Sequence, residues 1–126
     1  MSLLPQPPTM GDVLKYELNH NFTRETVTLL AGTSYAVGAV LGRITASGKM
    51  KLSTATGTDG AQHAAAVLLY DVDATAADTT GIVVLRGPAI VSKAALVCDA
   101  SVDDAAKKAA KHAQLTAIGI VPRDAA

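Results

Sequence analysis

AAAVLLYDVDATAADTTGIVVLRGPAIVS, residues 64–92, contains three short apolar runs separated by Asp, Thr, Gly and Pro. Val67 to Tyr70 is a continuous apolar run too short for a helix, the pattern of a strand buried on both faces. GIVVLRG (81–87) reads as the clearest strand in the chain. Gly81 and Gly87 bracket it, Pro88 restricts its exit, and AIVS (89–92) continues into another short strand.

The segments before this stretch follow the same pattern. ETVTLLAG (25–32) alternates Val27 and Leu29 with Thr26 and Thr28, and AVLGRITASG (39–48) runs into a Ser47-Gly48 turn from which KMKLS (49–53) returns as a hairpin. Thr58-Asp59-Gly60 reads as turn chemistry, with Gly60 free to take a positive φ and Asp59 able to bond local backbone. After the stretch comes one strong helix signal. Ser101 is placed to cap VDDAAKKAAKHAQL (102–115), with Asp103 and Asp104 near the positive end of the dipole. Val102, Ala105, Ala106, Ala109, Ala110 and Ala113 share a narrow face of small residues expected to sit on a sheet, leaving Lys107, Lys108, Lys111 and His112 in solvent. TAIGIV (116–121) is expected to return as a last strand that Pro122 ends. The fold expected is β-rich α+β: a small compact mixed domain of short strands, 23–126, with one C-terminal helix and a flexible N-terminal arm, 1–22.

The arm divides into two parts. Residues 1–12 hold Pro5, Pro7, Pro8 and Gly11 with few anchoring groups. VLKYELNHNF (13–22) then alternates, placing Leu14, Tyr16 and Leu18 on one side of an extended chain and Lys15, Glu17 and Asn19 on the other. An extended segment with one apolar edge is suited to adding a strand to another protein's sheet. The alternative is an ordinary first strand paired within its own domain.

Composition restricts function. A chain of 126 residues suits one domain with a thin core. Apolar residues make up 49% of it but aromatics only 3%, with no Trp, so packing rests on Ala, Val, Leu and Ile and self-association would be a natural source of stability. Eleven basic residues balance eleven acidic ones, a charge balance that gives nucleic acid no attractive field. The single cysteine, Cys98, allows no internal disulfide and reads as a core residue. The apolar runs fall short of the ~20 residues that span a bilayer, and MSLLPQPPTMG has neither a basic n-region nor an apolar h-region, so a soluble, unexported protein is expected.

Tests for chemistry are negative. Asp71, Asp73 and Asp78 could offer oxygen to a hard cation, but the spacing lacks the ligand alternation and closing Glu of an EF-hand, and the aspartates read as strand-end and turn residues. GTDGAQHA lacks the lysine of a phosphate-binding loop. His20, His63 and His112 have no motif linking them to a nucleophile, and only His63, beside Gln62, falls in a plausible cleft. No catalytic residue, metal or cofactor is expected.

AVLGRITASGKMKL (39–52), followed by TGTDGAQHAAAVLLYDVDATAADTTGIVVLRGPAIV (56–91), closely resembles the lambda-type head decoration proteins of tailed bacteriophages. The helix and TAIGIV also fit that family's C-terminal part. The resemblance covers roughly residues 24–121 and is most specific from DVDATAAD to VLRG. It implies a structural virion protein, not an enzyme, made in the host cytoplasm. Such a protein binds the major capsid protein on the outer surface of the expanded head as a homotrimer and holds the shell against packaged DNA. It further implies an N-terminal segment that orders against the capsid, with Leu14, Tyr16, Leu18 and Phe22 as the contact residues. The alternatives are a small trimeric β-rich ligand- or receptor-binding module and, more distantly, an enzyme using Asp71, Asp73 and His63.

Overall fold

The computed structural model describes residues 9–124. Ten strands run in chain order: β1 Leu14–Glu17, β2 Arg24–Leu29, β3 Ser34–Tyr35, β4 Val40–Arg43, β5 Met50–Leu52, β6 Ala64–Leu68, β7 Val72–Asp73, β8 Thr79–Val84, β9 Ala89–Ser92 and β10 Ile120–Arg123. The helices are α1 Met10–Val13, α2 His20–Thr23 and α3 Ala105–Ala117, with a 3-10 turn at Lys93–Ala95. This is the expected β-rich α+β domain with its C-terminal helix, and it adds two four-residue helices that a period-based reading cannot detect.

Five strands close a barrel in the order β2-β5-β4-β6-β8, and β8 returns to β2 along six antiparallel pairs from Arg24↔Val84 to Leu29↔Thr79. The apolar run at 67–69 is continuous because β6 is covered on both faces. Ala66 and Leu68 join Leu29, Leu41, Met50 and Val83 in one core cluster. Val67 and Leu69 point the other way, into a cluster with Val91, Leu115 and Ile120. Ala64 shares that outer side because the ladder slips between Leu41 and Gly42, where Leu41 faces Ala66 but Gly42 faces Ala64. The outer cluster is roofed by α3 and by a second sheet of order β1-β9-β10.

Two readings are decided in that second sheet and a third in the barrel. The alternating segment at 14–17 does form a strand, but β1 pairs with β9 of its own chain, Leu14↔Val91 and Glu17↔Ala89, and Val13 before it is fully buried. Burial of Val13 and the β9 ladder therefore pack residues 13–17 against the rest of the chain, the alternative of a first strand paired within its own domain. Pro122 does not end the last strand. It lies inside β10, opposite Val91 in a parallel ladder, where the sheet edge tolerates its missing N–H. Gly81 does not bracket β8 but sits within it, buried, where an added Cβ would lie 3.0 Å from Leu29 Cδ1. Gly87 is placed by close approach: a Cβ there would fall 1.9 Å from the Gly119 carbonyl oxygen, so the crossing of these two loops requires glycine.

The helix departs furthest from expectation. It begins at Ala105 with Asp104 as its cap, the carboxylate accepting from Lys107 N at 2.8 Å, whereas Ser101 is occupied by Asp99. Ala105, Ala106, Ala109, Ala110 and Ala113 are all exposed, and of the expected face only Val102, outside the helix, is buried. The seated residues are Lys111 and Leu115, one turn apart. Alanines bury too little area each to fix the rotation of a helix; Leu115, the only large aliphatic in α3, and the four-carbon stem of Lys111 do so instead.

Candidate functional site

The aspartates that invite a metal or acid-base reading are turn and loop ties. Gly60 takes φ +102°, and Asp59 Oδ1 accepts from Ala61 N at 3.0 Å, the turn expected from Thr58-Asp59-Gly60. Lys51 lies 2.8 Å from the other Asp59 oxygen, and this hydrogen bond, with that from Ala61, holds the carboxyl below its ordinary range. Asp73 accepts from Thr75 Oγ1 at 2.6 Å and Thr75 N at 3.1 Å, which likewise lowers it. Asp71 and Asp78 reach further than local turns: Asp71 accepts from Val37 N at 2.8 Å, and Asp78 from Ala31 N at 2.7 Å while pairing with Lys49 at 2.5 Å. Each carboxylate therefore joins two loops of the barrel. Among the described residues no three His, Cys, Asp or Glu side chains converge as a ligand set.

The histidines stand apart from these groups. His20 and His63 are exposed. His112 borders a cleft of about 530 Å³ with Lys93, Lys108 and Cys98. Burial pushes the half-buried Cys98 thiol up, away from the thiolate a nucleophile needs.

A buried polar constellation that sequence reasoning missed is built on Lys111, which is 2% exposed. Its Nζ donates to Thr54 O at 2.6 Å, Gln62 O at 2.5 Å and Ser53 Oγ at 3.0 Å. These three near acceptors match the three protons of an ammonium, with Gln114 Oε1 a longer fourth contact at 3.4 Å. Ser53 in turn donates to Ala61 O at 2.7 Å, so the serine and lysine are committed to holding the 53–62 loop against α3. Gln114, one turn along, accepts from Ala64 N at 2.7 Å and ties the start of β6 to the same helix. The spacing of Lys111 to Leu115 was the available signal; a lysine-rich helix face hid it.

Of the seven exposed large apolar side chains among the described residues, the three most exposed lie close together near the N-terminal end; Tyr70, Ile82, Val97 and Ile118 are scattered over the body. Tyr16 is 49% exposed, Leu18 60% and Phe22 53%, all within seven residues, while Leu14 is half-buried against the outer core. β1 forms one edge of its sheet, and Leu18 N continues the contact by donating to Pro88 O at 3.0 Å. The turn that follows is tied to itself. Glu17 receives Arg24 through Nη2 at 2.5 Å and Nε at 3.0 Å, and Thr23 Oγ1 at 2.6 Å. Burial pushes the Glu17 carboxyl up, but the bonds from Arg24 and Thr23 outweigh it and the group sits below its ordinary range. Arg86 holds its guanidinium 5.5 Å from the Phe22 ring centre and donates to the Phe22 carbonyl.

A closed barrel whose loops are tied by their own carboxylates, with an apolar rim at one sheet edge, defines a structural domain that presents a surface. Comparison with protein families agrees: the family model described as bacteriophage lambda head decoration protein D matches residues 3–120. The chain belongs to this family and is a phage head decoration protein, a structural component of the virion capsid. A search of curated proteins returned no match. Among the described residues no helix is long and apolar enough to cross a membrane.

Proposed function

We propose that the protein binds the outer surface of the expanded phage head as a homotrimer, contacts the major capsid protein, and stabilises the shell against the pressure of packaged DNA. It performs no reaction. The observation that carries this reading, given the family, is the apolar rim of Tyr16, Leu18 and Phe22 beside the edge strand β1. Isolated exposed apolar residues are ordinary, but three in seven residues at a sheet edge suit a surface that another protein covers. Leu14 anchors the base of this rim to the outer core.

Trimerisation turns a modest contact into a firm one. Three rims on one rigid body bind at high effective concentration, so the assembly is held tightly by weak individual contacts. A trimer that binds only the expanded lattice also stabilises that lattice over its precursor by linkage. A net charge of zero suits a protein that meets no DNA.

The test is sedimentation of purified protein with expanded and unexpanded heads. Wild type is expected to pellet with expanded heads only, and Leu18→Asp and Phe22→Ser to weaken this by roughly tenfold or more each, since hot-spot residues contribute 1–2 kcal/mol or above. Wild-type affinity in both variants would reject the rim as the contact.

A further inference from the structure

The 3-10 turn at Lys93–Ala95, the loop that follows it, helix α3 and the end of β10 enclose a cleft of about 530 Å³, within the range of roughly 300–1,000 Å³ typical of small-molecule sites. Lys93 enters this cleft from the turn, while Lys108 and His112 stand one turn apart on α3. Their charges are little answered within the chain. Lys108 pairs with no carboxylate among the described residues, and Lys93 reaches only Asp124, at 3.7 Å, whose side chain is 86% exposed. The other carboxylate of the cleft, Asp99, accepts from the N–H and the hydroxyl of Ser101 at 3.0 and 2.6 Å. The ring of half-buried His112 bonds to no other described residue. The buried Lys111 ammonium adds positive charge behind Cys98, and Leu96 and Val102 supply apolar surface.

We propose that this cleft binds a small phosphate monoester, with Lys93 and Lys108 on the dianionic head, His112 as a further donor to it, and Leu96 and Val102 against the organic part. No residue of the N-terminal rim lines the cleft, so the site is independent of capsid contact. Two ammonium groups without firmly bound carboxylates suit a dianion better than a monoanion, because each negative charge of the head then gains a partner. The imidazole reports on such a ligand. Burial disfavours its charged form, Lys93 and Lys108 disfavour it further, and Asp124 offsets them only in part. A dianion in the cleft reverses that balance and favours the imidazolium. A bare phosphate ion leaves much of the cleft empty, whereas an ester also covers the apolar wall. A head bridging Lys93 and Lys108 would tie the turn after β9 to α3.

The experiment follows the histidine side-chain NMR signals of the full-length protein from about pH 5 to 8 in chloride, inorganic phosphate, phenyl phosphate or benzoate at matched ionic strength. His20 and His63, both exposed, serve as internal controls. Phenyl phosphate is expected to raise the His112 midpoint by about half a pH unit or more, and inorganic phosphate to do so only at higher concentration. Benzoate is expected to leave His112 near its value in chloride, and the two control histidines to stay still throughout. Lys93→Gln and Lys108→Gln are each expected to raise the His112 midpoint without ligand, since both lysines hold it down. Each is also expected to weaken phenyl phosphate binding by roughly two- to fivefold, as for solvent-accessible charge pairs, and the double variant to abolish the response. A His112 midpoint indifferent to phenyl phosphate, equal movement of all three histidines, an equal response to benzoate, or a response undiminished in the double variant would overturn the site. Should Lys93→Gln unfold, Lys108→Gln, at an exposed position, carries the same test alone.

Discussion

Lys111 shows how a single side chain can be read wrongly from its type. A lysine among lysines on an alanine-rich helix belongs by pattern to a solvated face, yet the side chain is buried and its ammonium is held by three oxygens of the 53–62 loop. Burial pushes its pKa down, but the three acceptors still suit the charged form. Lys111→Met would keep the stem and leave the Thr54 and Gln62 carbonyls without their donor; a loss of about 2–4 kcal/mol in urea unfolding is expected. Ala109→Glu, which the expected alanine face would have made severe, should change stability by less than about 0.5 kcal/mol, since Ala109 is exposed. A large loss for Ala109→Glu with none for Lys111→Met would mean the helix is seated on its alanines after all.

The elements obey their local rules where packing reinforces them. β6 is a strand because both its faces are covered, and the slip beside Gly42 decides which face Ala64 joins. The turn between β1 and β2 depends on an ion pair, which gives it a pH signature. Glu17 has its folded pKa lowered relative to an ordinary value of 4.5, so its contribution is fully present above that value and is lost as pH falls through the lower folded value. The stability gap between wild type and Glu17→Gln, measured by chemical denaturation, is therefore expected to be constant from pH 7 to about 5 and to close on further acidification. A gap that widened in acid would show that the carboxylate is not what stabilises the turn. For α3, Leu115→Ala should cost about 2–4 kcal/mol, as Leu115 is fully buried against the barrel wall.

At the scale of the whole molecule the protein has two thin cores made almost wholly of aliphatic side chains, with Tyr35 as the buried aromatic, its hydroxyl donating to Leu30 O at 2.8 Å. Modest cores are consistent with a domain that works as one of several copies. Light scattering of the purified protein is expected to report three times the monomer mass, and dilution to a monomer is expected to abolish stable decoration, because avidity disappears with the second and third rims. A monomer that decorates heads as tightly as the trimer would remove avidity from the account. The exposed alanines of α3 leave that helix smooth on its outer side, and the structure offers no reason for them beyond helix propensity.

Short-range information was sufficient for much of this protein. Periodicity and turn residues placed the barrel strands between Val27 and Val84 and β9 after them, Gly60 and Asp59 declared their turn, and the run from DVDATAAD to VLRG carried the family resemblance. These features depend on neighbours within a few residues, which a linear reading contains. The β1–β9 pairing, the tolerance of Pro122 within β10, the rotation of α3 and the burial of Lys111 depend on groups 30 or more residues away. Only the closed chain brings Ser53, Thr54 and Gln62 to the end of a lysine, and Arg86 to Phe22. A buried charge or a paired edge is stabilised by partners whose positions tertiary packing alone determines.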